Sequence, residues 1–207
     1  MDLEELPEIF PLYFFDASTQ VQSLKKDKFS DSNKLPTFED LNFSENFAEV
    51  FMGWTEDTLN FKFDVETVFS ESEYPDFLRK DAIELFIHTR ANSLSRYMNK
   101  FSHHFLIFPV QVNGIYAMEI TKFRGEDKHD LCLPQAIPVK VDMSKNRYSI
   151  RLDLPKSILH GYDPLDSKEL RIDYRIHRFQ NEPQFFFFPT QTIAEHNLAL
   201  WPKIELV

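Results

Sequence analysis

The chain has 207 residues, carries a formal net charge of −10, and is 43% hydrophobic. This composition excludes a disordered chain, because it contains enough apolar surface for a packed core. The acidic balance argues against a general nucleic-acid or anionic-membrane binder, and the one cysteine, Cys132, excludes an internal disulfide.

The sequence predicts that residues 1–45 form an N-terminal extension, which packs on a domain formed by residues 46–207. The opening sequence, MDLEELPEIF, is acidic and lacks the basic and apolar regions of a signal peptide. No apolar run in the chain approaches the roughly 20 residues of a membrane span. These features predict a soluble, cytoplasmic protein with neither a nucleic-acid nor a membrane partner.

Two segments make up the extension. Residues 9–15 form an apolar patch that suits an edge strand, because Pro7 and Pro11 oppose a long helix. Residues 17–45 are polar and predict a long loop, with a short helix near residues 38–41.

From residue 47 onward, alternating apolar and polar residues predict strands joined by hairpins. The strand at 81–88 carries a distinct set on each face, Ile83, Leu85 and Ile87 on one and Glu84, Phe86 and His88 on the other. Further strands are predicted at residues 47–54, 58–66, 104–110, 116–123, 139–143, 148–154, 170–178, 184–188 and 201–207. About ten strands predict an all-β fold, a two-sheet antiparallel β-sandwich of the jelly-roll kind, with a closed barrel as the alternative. The predicted core contains Phe61, Phe63, Ile83, Leu85, Ile150, Leu152, Ile172 and Tyr174.

Residues 185–188 are four consecutive phenylalanines. Both faces of such a strand need apolar cover, which either the N-terminal patch or a second subunit supplies. The N-terminal patch is favoured because it belongs to the same chain. A homodimer through this Phe-rich strand is the alternative.

Histidines and acidic residues flank the hairpin predicted between residues 104 and 123. A hairpin brings its outer ends together, so His104 on one side can meet Asp127 and His129 on the other. Imidazole and carboxylate groups together bind zinc, iron or manganese. These three residues are the predicted metal ligands, because adjacent histidines on a strand point to opposite faces and His103 then lies away from the site. A salt-bridged loop without metal is the alternative.

A row of charged side chains follows the second face of two strands, and it predicts a ligand site. Its members are Glu84, His88, Arg171, Arg175 and His177. Such groups make paired hydrogen bonds to the neighbouring hydroxyls of a sugar, and Trp54 is the predicted aromatic platform. The alternative is a solvated sheet face held by cross-strand ion pairs.

No local motif of catalysis is present. The sequence contains neither a G-x-S-x-G elbow nor a Gly-rich phosphate loop, so no catalytic residue is predicted. A binding protein is therefore favoured over an enzyme, with no cofactor apart from a divalent metal at the His/Asp cluster.

Several segments carry a family resemblance, in the order TLNFKFDVE (58–66), DAIELFIHTR (81–90), YSIRLDLPKSIL (148–159) and LRIDYRIHR (170–178). Over residues 47–207 the chain resembles the family 9 carbohydrate-binding modules and the wider DOMON-like β-sandwiches. The resemblance implies a two-sheet sandwich that binds sugar between aromatic rings, with structural calcium in some members. Asp81 and Glu84 match acidic positions of the family strand, whereas His88 stands where that strand usually closes on Asp.

The sequence therefore predicts a non-catalytic β-sandwich module that binds a carbohydrate or another hydroxyl-rich ligand. Two alternatives remain open, which are a metal-binding protein or metal-dependent enzyme and a protein-interaction domain.

Overall fold

Eleven β-strands form the fold in the computed structural model, which describes residues 17–25, 28–39, 45–91, 97–187 and 197–207. The strands are β1 (Ser18–Val21), β2 (Ala48–Trp54), β3 (Thr58–Val65), β4 (Ala82–His88), β5 (Ser102–Val112), β6 (Ile115–Glu119), β7 (Val139–Met143), β8 (Tyr148–Pro155), β9 (Glu169–His177), β10 (Gln184–Phe185) and β11 (Lys203–Leu206). Short 3-10 turns lie at Asp31–Asn33, Pro134–Ala136, Lys156–Ile158 and Leu198–Leu200. No helix among the described residues is long and apolar enough to cross a membrane.

The strands form two sheets. The larger has the order β1-β11-β9-β4-β5-β6, with β10 pairing on β9, and the smaller has the order β2-β3-β8-β7. Neighbouring strands are antiparallel apart from β1 and β11, which run parallel. The turn between β5 and β6 is made by Asn113 and Gly114, whose φ angles of 53° and 82° are those of a tight hairpin. The predicted two-sheet antiparallel sandwich is confirmed.

One apolar core lies between the inner faces of the two sheets. Phe63 of β3 meets Tyr174 of β9 edge to face, with ring centroids 6.1 Å apart, and so connects the smaller sheet to the larger. The eight residues predicted for the core are all buried. Full burial of one such large apolar side chain stabilises the fold by about 1.5–3 kcal/mol, so this set anchors the sandwich.

Part of the N-terminal extension adds a strand to the larger sheet. The predicted loop at residues 17–45 is wrong in this respect, because β1 pairs with β11 over four residues and obtains its hydrogen bonds there. The short sequence STQV has no alternation of apolar and polar residues, so no local pattern predicts this strand. The predicted edge strand at residues 9–15 lies outside the described residues, as does most of the predicted helix near residues 38–41.

The Phe-rich segment is covered from within the chain. β10 contains only two residues, and Phe38 packs edge-on against Phe186 and Phe187, with ring centroids 5.5 and 5.2 Å away. Tyr174 stacks on Phe186 at 4.9 Å, so both phenylalanines are buried. Phe38 therefore supplies part of the apolar cover that these phenylalanines need.

The strand β6 ends four residues earlier than predicted. After Glu119, the hydroxyl of Thr121 accepts the hydrogen bond of the His104 backbone amide over 2.8 Å. A side chain thereby replaces the next backbone partner, and the ladder between β5 and β6 stops. The following segment, residues 120–133, is free to cross the end of the sandwich.

The outer face of the larger sheet is also buried, in contrast to a two-layer sandwich with a solvated outer face. Met98, Leu198 and Trp201 pack over Phe86 of β4, and Phe77 packs over the neighbouring apolar residues of β4 and β5. Segments outside the predicted strands, together with Trp201 at the start of the last predicted strand, therefore form a third layer. Charged side chains on this face are enclosed beneath it.

Candidate functional site

Glu84 is the centre of a buried charge network on the outer face of the larger sheet. Its Oε1 accepts a hydrogen bond from His104 Nε2 over 3.0 Å, and its Oε2 accepts one from His177 Nε2 over 2.7 Å. Arg175 Nη1 lies 3.6 Å from Oε2. These four residues, the Glu84 network, come from β4, β5 and β9, and Glu84 lies directly opposite Arg175 in the strand register.

Glu84 is held in its charged form. Burial raises the pKa of a carboxyl, but the hydrogen bonds and charges of His104 and His177 outweigh it, and the pKa of Glu84 lies well below its usual range. An ionised carboxylate only accepts hydrogen bonds, so each imidazole donates through its Nε2–H. The tautomer and the ring orientation of His104 are thereby fixed.

A second carboxyl on the same face behaves in the opposite way. Burial raises the pKa of Asp173 to about 7, despite the nearby charge of Arg175. The Arg175 guanidinium also lies 5.2 Å over the Phe86 ring. The outer face thus contains one carboxylate that is firmly ionised and one carboxyl that is only partly ionised near pH 7.

A cleft opens where the Glu84 network approaches the surface. Its volume is about 320 Å³, and it is lined by Tyr74, Pro75, Phe77, Met98, His104, Ile120, Lys122, Phe123 and Arg124. His104 is 5% exposed, and its ring stacks on Phe86 with centroids 4.0 Å apart. We call this feature the His104 cleft.

The walls of the His104 cleft combine rings and cations. Tyr74 is 38% exposed and faces the cleft together with Phe77 and Phe123. Lys122 and Arg124 are exposed and supply hydrogen-bond donors. The arrangement of apolar walls with a few fixed polar groups is typical of small-molecule sites.

The predicted ligand residues are only partly brought together. Glu84, Arg175 and His177 converge, but each is at most 1% exposed, so the prediction that this row presents itself to a ligand is wrong. The third layer covers these side chains, and the alternation of residues within a strand does not predict such a layer. His88 and Arg171 form a neighbouring cross-strand pair, and Arg171 Nη1 donates to the Trp201 carbonyl over 2.7 Å.

Trp54 lies on the smaller sheet and not beside the charged row. Its Nε1 donates to the carbonyls of Val21 and Val207, over 3.1 and 3.3 Å. The ring therefore ties β2 to the two terminal segments, and this role explains its position better than a sugar platform. The aromatic residues of the His104 cleft lie outside the strands, so no alternating pattern marks them as a site.

The predicted metal ligands do not meet. His104 points outward to Glu84, and Asp127 forms an ion pair with Lys100 at 3.3 Å. His129 instead approaches His103 and Glu119, which face inward. Adjacent histidines do point to opposite faces, and it is His103, not His104, that shares the inward face with Glu119 of β6.

Asp81 and Glu84, the acidic positions of the family strand, do not fit a calcium site. Both oxygens of Asp81 accept backbone amides, from Ser70, Glu71 and Phe179, at 2.8–3.3 Å. Both oxygens of Glu84 accept imidazole N–H groups. Calcium requires six to eight oxygen ligands, and these carboxylates are already committed to N–H donors.

The fold is similar to that of solved carbohydrate-binding modules. Two structures of a family 9 carbohydrate-binding module from Caldicellulosiruptor kristjanssonii match it. The complex with glucose has a TM-score of 0.67 at 13% identity, covering 92% of this chain and 95% of that one. The complex with cellotriose has a TM-score of 0.64 at 12% identity, covering 90% and 92%.

A protein from Bacteroides uniformis matches with a TM-score of 0.56 at 8% identity, covering 92% of this chain and 99% of that one. No protein-family model and no curated protein match the sequence. The likeness to the family 9 modules is therefore one of fold, and it confirms the architecture that the sequence resemblance implied.

Proposed function

We propose that the chain is a carbohydrate-binding module that holds a sugar in the His104 cleft. The observation that carries this proposal is the cleft itself, which His104 lines together with the rings of Tyr74, Phe77 and Phe123. The similar family 9 module structures contain glucose and cellotriose, which supports a sugar of this type.

The chemistry of the cleft suits a sugar ring. The C–H face of a pyranose packs on aromatic rings, and its hydroxyls bond to fixed donors and acceptors. His104 is held by Glu84 and by stacking on Phe86, so its orientation costs little entropy on binding. Lys122 and Arg124 add donors at the rim.

The affinity is expected to be modest. A small polar ligand gives up strong hydration when it binds, and the cleft is open to solvent. A dissociation constant between micromolar and millimolar corresponds to about −8 to −4 kcal/mol. Such an affinity is compatible with a binding module and needs no catalytic group.

Titration with glucose and with cellotriose, followed by calorimetry or NMR, tests the proposal. Tyr74→Ala is expected to weaken binding about 3–10-fold, because one aromatic contact contributes about 0.5–1.5 kcal/mol. His104→Ala is expected to weaken it further. Tyr116→Ala, at a half-buried tyrosine on β6 outside the cleft, serves as the matched control and leaves binding unchanged.

Two results would overturn the proposal. One is that Tyr74→Ala and His104→Ala bind the sugar as the unmodified chain does. The other is that a broad glycan screen on the folded chain finds no ligand at millimolar concentration.

A further inference from the structure

Three side chains with metal-binding chemistry meet on the inner face, at the end of the sandwich and away from the His104 cleft. His103 lies on β5, Glu119 on β6, and His129 in the segment that follows β6. One ligand atom from each lies within 4.8 Å of the others. We call this set the His103 triad.

The distances in the triad resemble those of a metal site. Glu119 Oε1 lies 2.9 Å from His103 Nδ1 and 3.5 Å from His129 Nε2. Neighbouring ligand atoms around tetrahedral zinc are roughly 3.3 Å apart, given zinc–ligand bonds of about 2.0–2.1 Å. All three ligand atoms lie within 4.8 Å of one another, so side-chain adjustments that bring them to this spacing would admit such an ion.

The hydrogen bonds of His129 point to a cation. Its Nδ1 lies 2.9 Å from the Asp130 carbonyl, and its Nε2 lies 3.1 Å from the Ser102 carbonyl, with the Glu119 carboxylate beyond. A neutral imidazole has only one N–H and cannot donate to oxygens at both nitrogens. A metal ion at Nε2 meets this demand, because Nδ1–H then donates to the Asp130 carbonyl and the Nε2 lone pair faces the ion.

The charge of Glu119 needs the same compensation. Glu119 is 4% exposed, and its carboxylate lies against the rings of His103 and His129. Among the described residues, no lysine or arginine forms an ion pair with Glu119. A buried carboxylate without a permanent cation is costly.

Groups around the triad orient its members. Thr121 Oγ1 donates to Glu119 Oε1 over 2.9 Å, and the Cys132 amide donates to Oε2 over 2.8 Å. Metal ligands are commonly held by partners of this kind. His129 also lines an open cleft with Cys132 and His160, which gives an ion a path from solvent.

We propose that His103, Glu119 and His129 bind a divalent transition-metal ion of the zinc type. Two imidazoles and one carboxylate are a donor set that such ions prefer, and it leaves room for a further ligand. The ion would connect the β5–β6 pair to residues 120–133. This role is independent of the proposed sugar binding.

The test uses the full chain, purified without an affinity tag and treated with a chelator. Titration with zinc chloride, followed by calorimetry and elemental analysis, is expected to give close to one equivalent. Thermal unfolding is expected to shift upward with added zinc, because an ion that binds only the folded state stabilises it.

Variants locate the site. His129→Gln and Glu119→Gln are each expected to weaken zinc binding at least tenfold. Asp127→Asn is the control, because Asp127 lies on the same segment, is exposed, and pairs with Lys100. That variant is expected to retain one equivalent with unchanged affinity. His129 is at the edge of the core, so its substitution leaves a measurable folded protein even where Glu119→Gln does not.

The proposal is overturned if the chelator-treated chain takes up no stoichiometric zinc. It is overturned as well if His129→Gln binds zinc as tightly as the unmodified chain. Glucose titration of His129→Gln provides an independent measurement, since His129 does not line the His104 cleft.

Discussion

His104 Nε2 lies 3.0 Å from Glu84 Oε1, and this bond connects a buried charge network to the floor of a surface cleft. Glu84 is 1% exposed, so a ligand in the cleft meets the imidazole and not the carboxylate. Glu84 acts at a distance, by fixing the orientation and tautomer of His104. The stability of the network and the shape of the cleft are therefore coupled.

Removal of the Glu84 charge is expected to destabilise the protein strongly. Glu84→Gln removes the buried charge that His104, His177 and Arg175 share, and breaking a buried pair costs about 3–5 kcal/mol. Chemical denaturation measures the change in the free energy of unfolding. Glu49→Gln, which breaks the exposed pair with Lys34, is the control and costs about 0–1 kcal/mol. Equal losses in the two variants would contradict the network.

Truncation of Phe63 tests the core. Phe63→Ala removes a fully buried ring that contacts Tyr174 on the opposite sheet, and we expect a loss of about 3–5 kcal/mol from lost burial and the resulting cavity. Leu133→Ala, at a side chain that is 71% exposed, is the control and is expected to change stability by about 0.5 kcal/mol or less. A loss under about 1 kcal/mol in Phe63→Ala would mean that the inner face is wrongly assigned.

The sandwich could be predicted because its strands alternate. Residues 58–66 and 148–154 each show a period of two over a whole strand, so the inner face of β3 and β8 follows directly from the sequence. The turn at Asn113 and Gly114 has its own chemical signature. Such patterns depend only on residues that are close together in the sequence, so they can be recognised without knowledge of the tertiary contacts.

The candidate sites depend on contacts that no local pattern encodes. The sequence predicts that Glu84 presents itself to a ligand, but Trp201 and Met98 come from distant segments and cover this face. The same holds for Glu119 and His129, which are brought together by the path of residues 120–133. The sequence predicted that Glu84, Arg175 and His177 share one face, and it included His129 among the metal ligands. The cover over that face, and the meeting of His129 with His103 and Glu119, required tertiary structure.

A glycine substitution tests the packing between two loops. Gly161 has a φ angle of 80°, and a Cβ atom there would lie 2.5 Å from the ring of Phe101. We expect Gly161→Ala to lower the free energy of unfolding by more than about 1 kcal/mol. The positive φ angle is unfavourable for alanine, and the Phe101 ring occupies the space of the added Cβ atom. Gly125→Ala is the matched control, since nothing lies within 4 Å of its added Cβ atom. If both variants unfold at the same denaturant concentration as the unmodified chain, the contact with Phe101 is wrong.

The pH dependence of stability is expected to include a contribution from His88. Burial lowers the pKa of His88 to about 4, against about 6.5 in the unfolded chain. As the pH falls from 6.5 toward 4, the unfolded state binds this proton and the folded state does not. The stability from a neutral His88 is therefore complete above pH 6.5 and lost as the pH falls, by on the order of 3 kcal/mol.

Comparison with His88→Gln isolates this contribution. Asp173, whose pKa is raised to about 7 by burial, acts in the opposite sense, since its stabilising effect is lost as the pH rises toward 7. That opposing contribution and those of the other acids are present in both proteins and largely cancel in the difference. We expect the advantage of the unmodified chain over His88→Gln in free energy of unfolding to shrink steadily from pH 7 to pH 4. A gap that stays constant over this range would show that His88 titrates alike in the folded and unfolded chains.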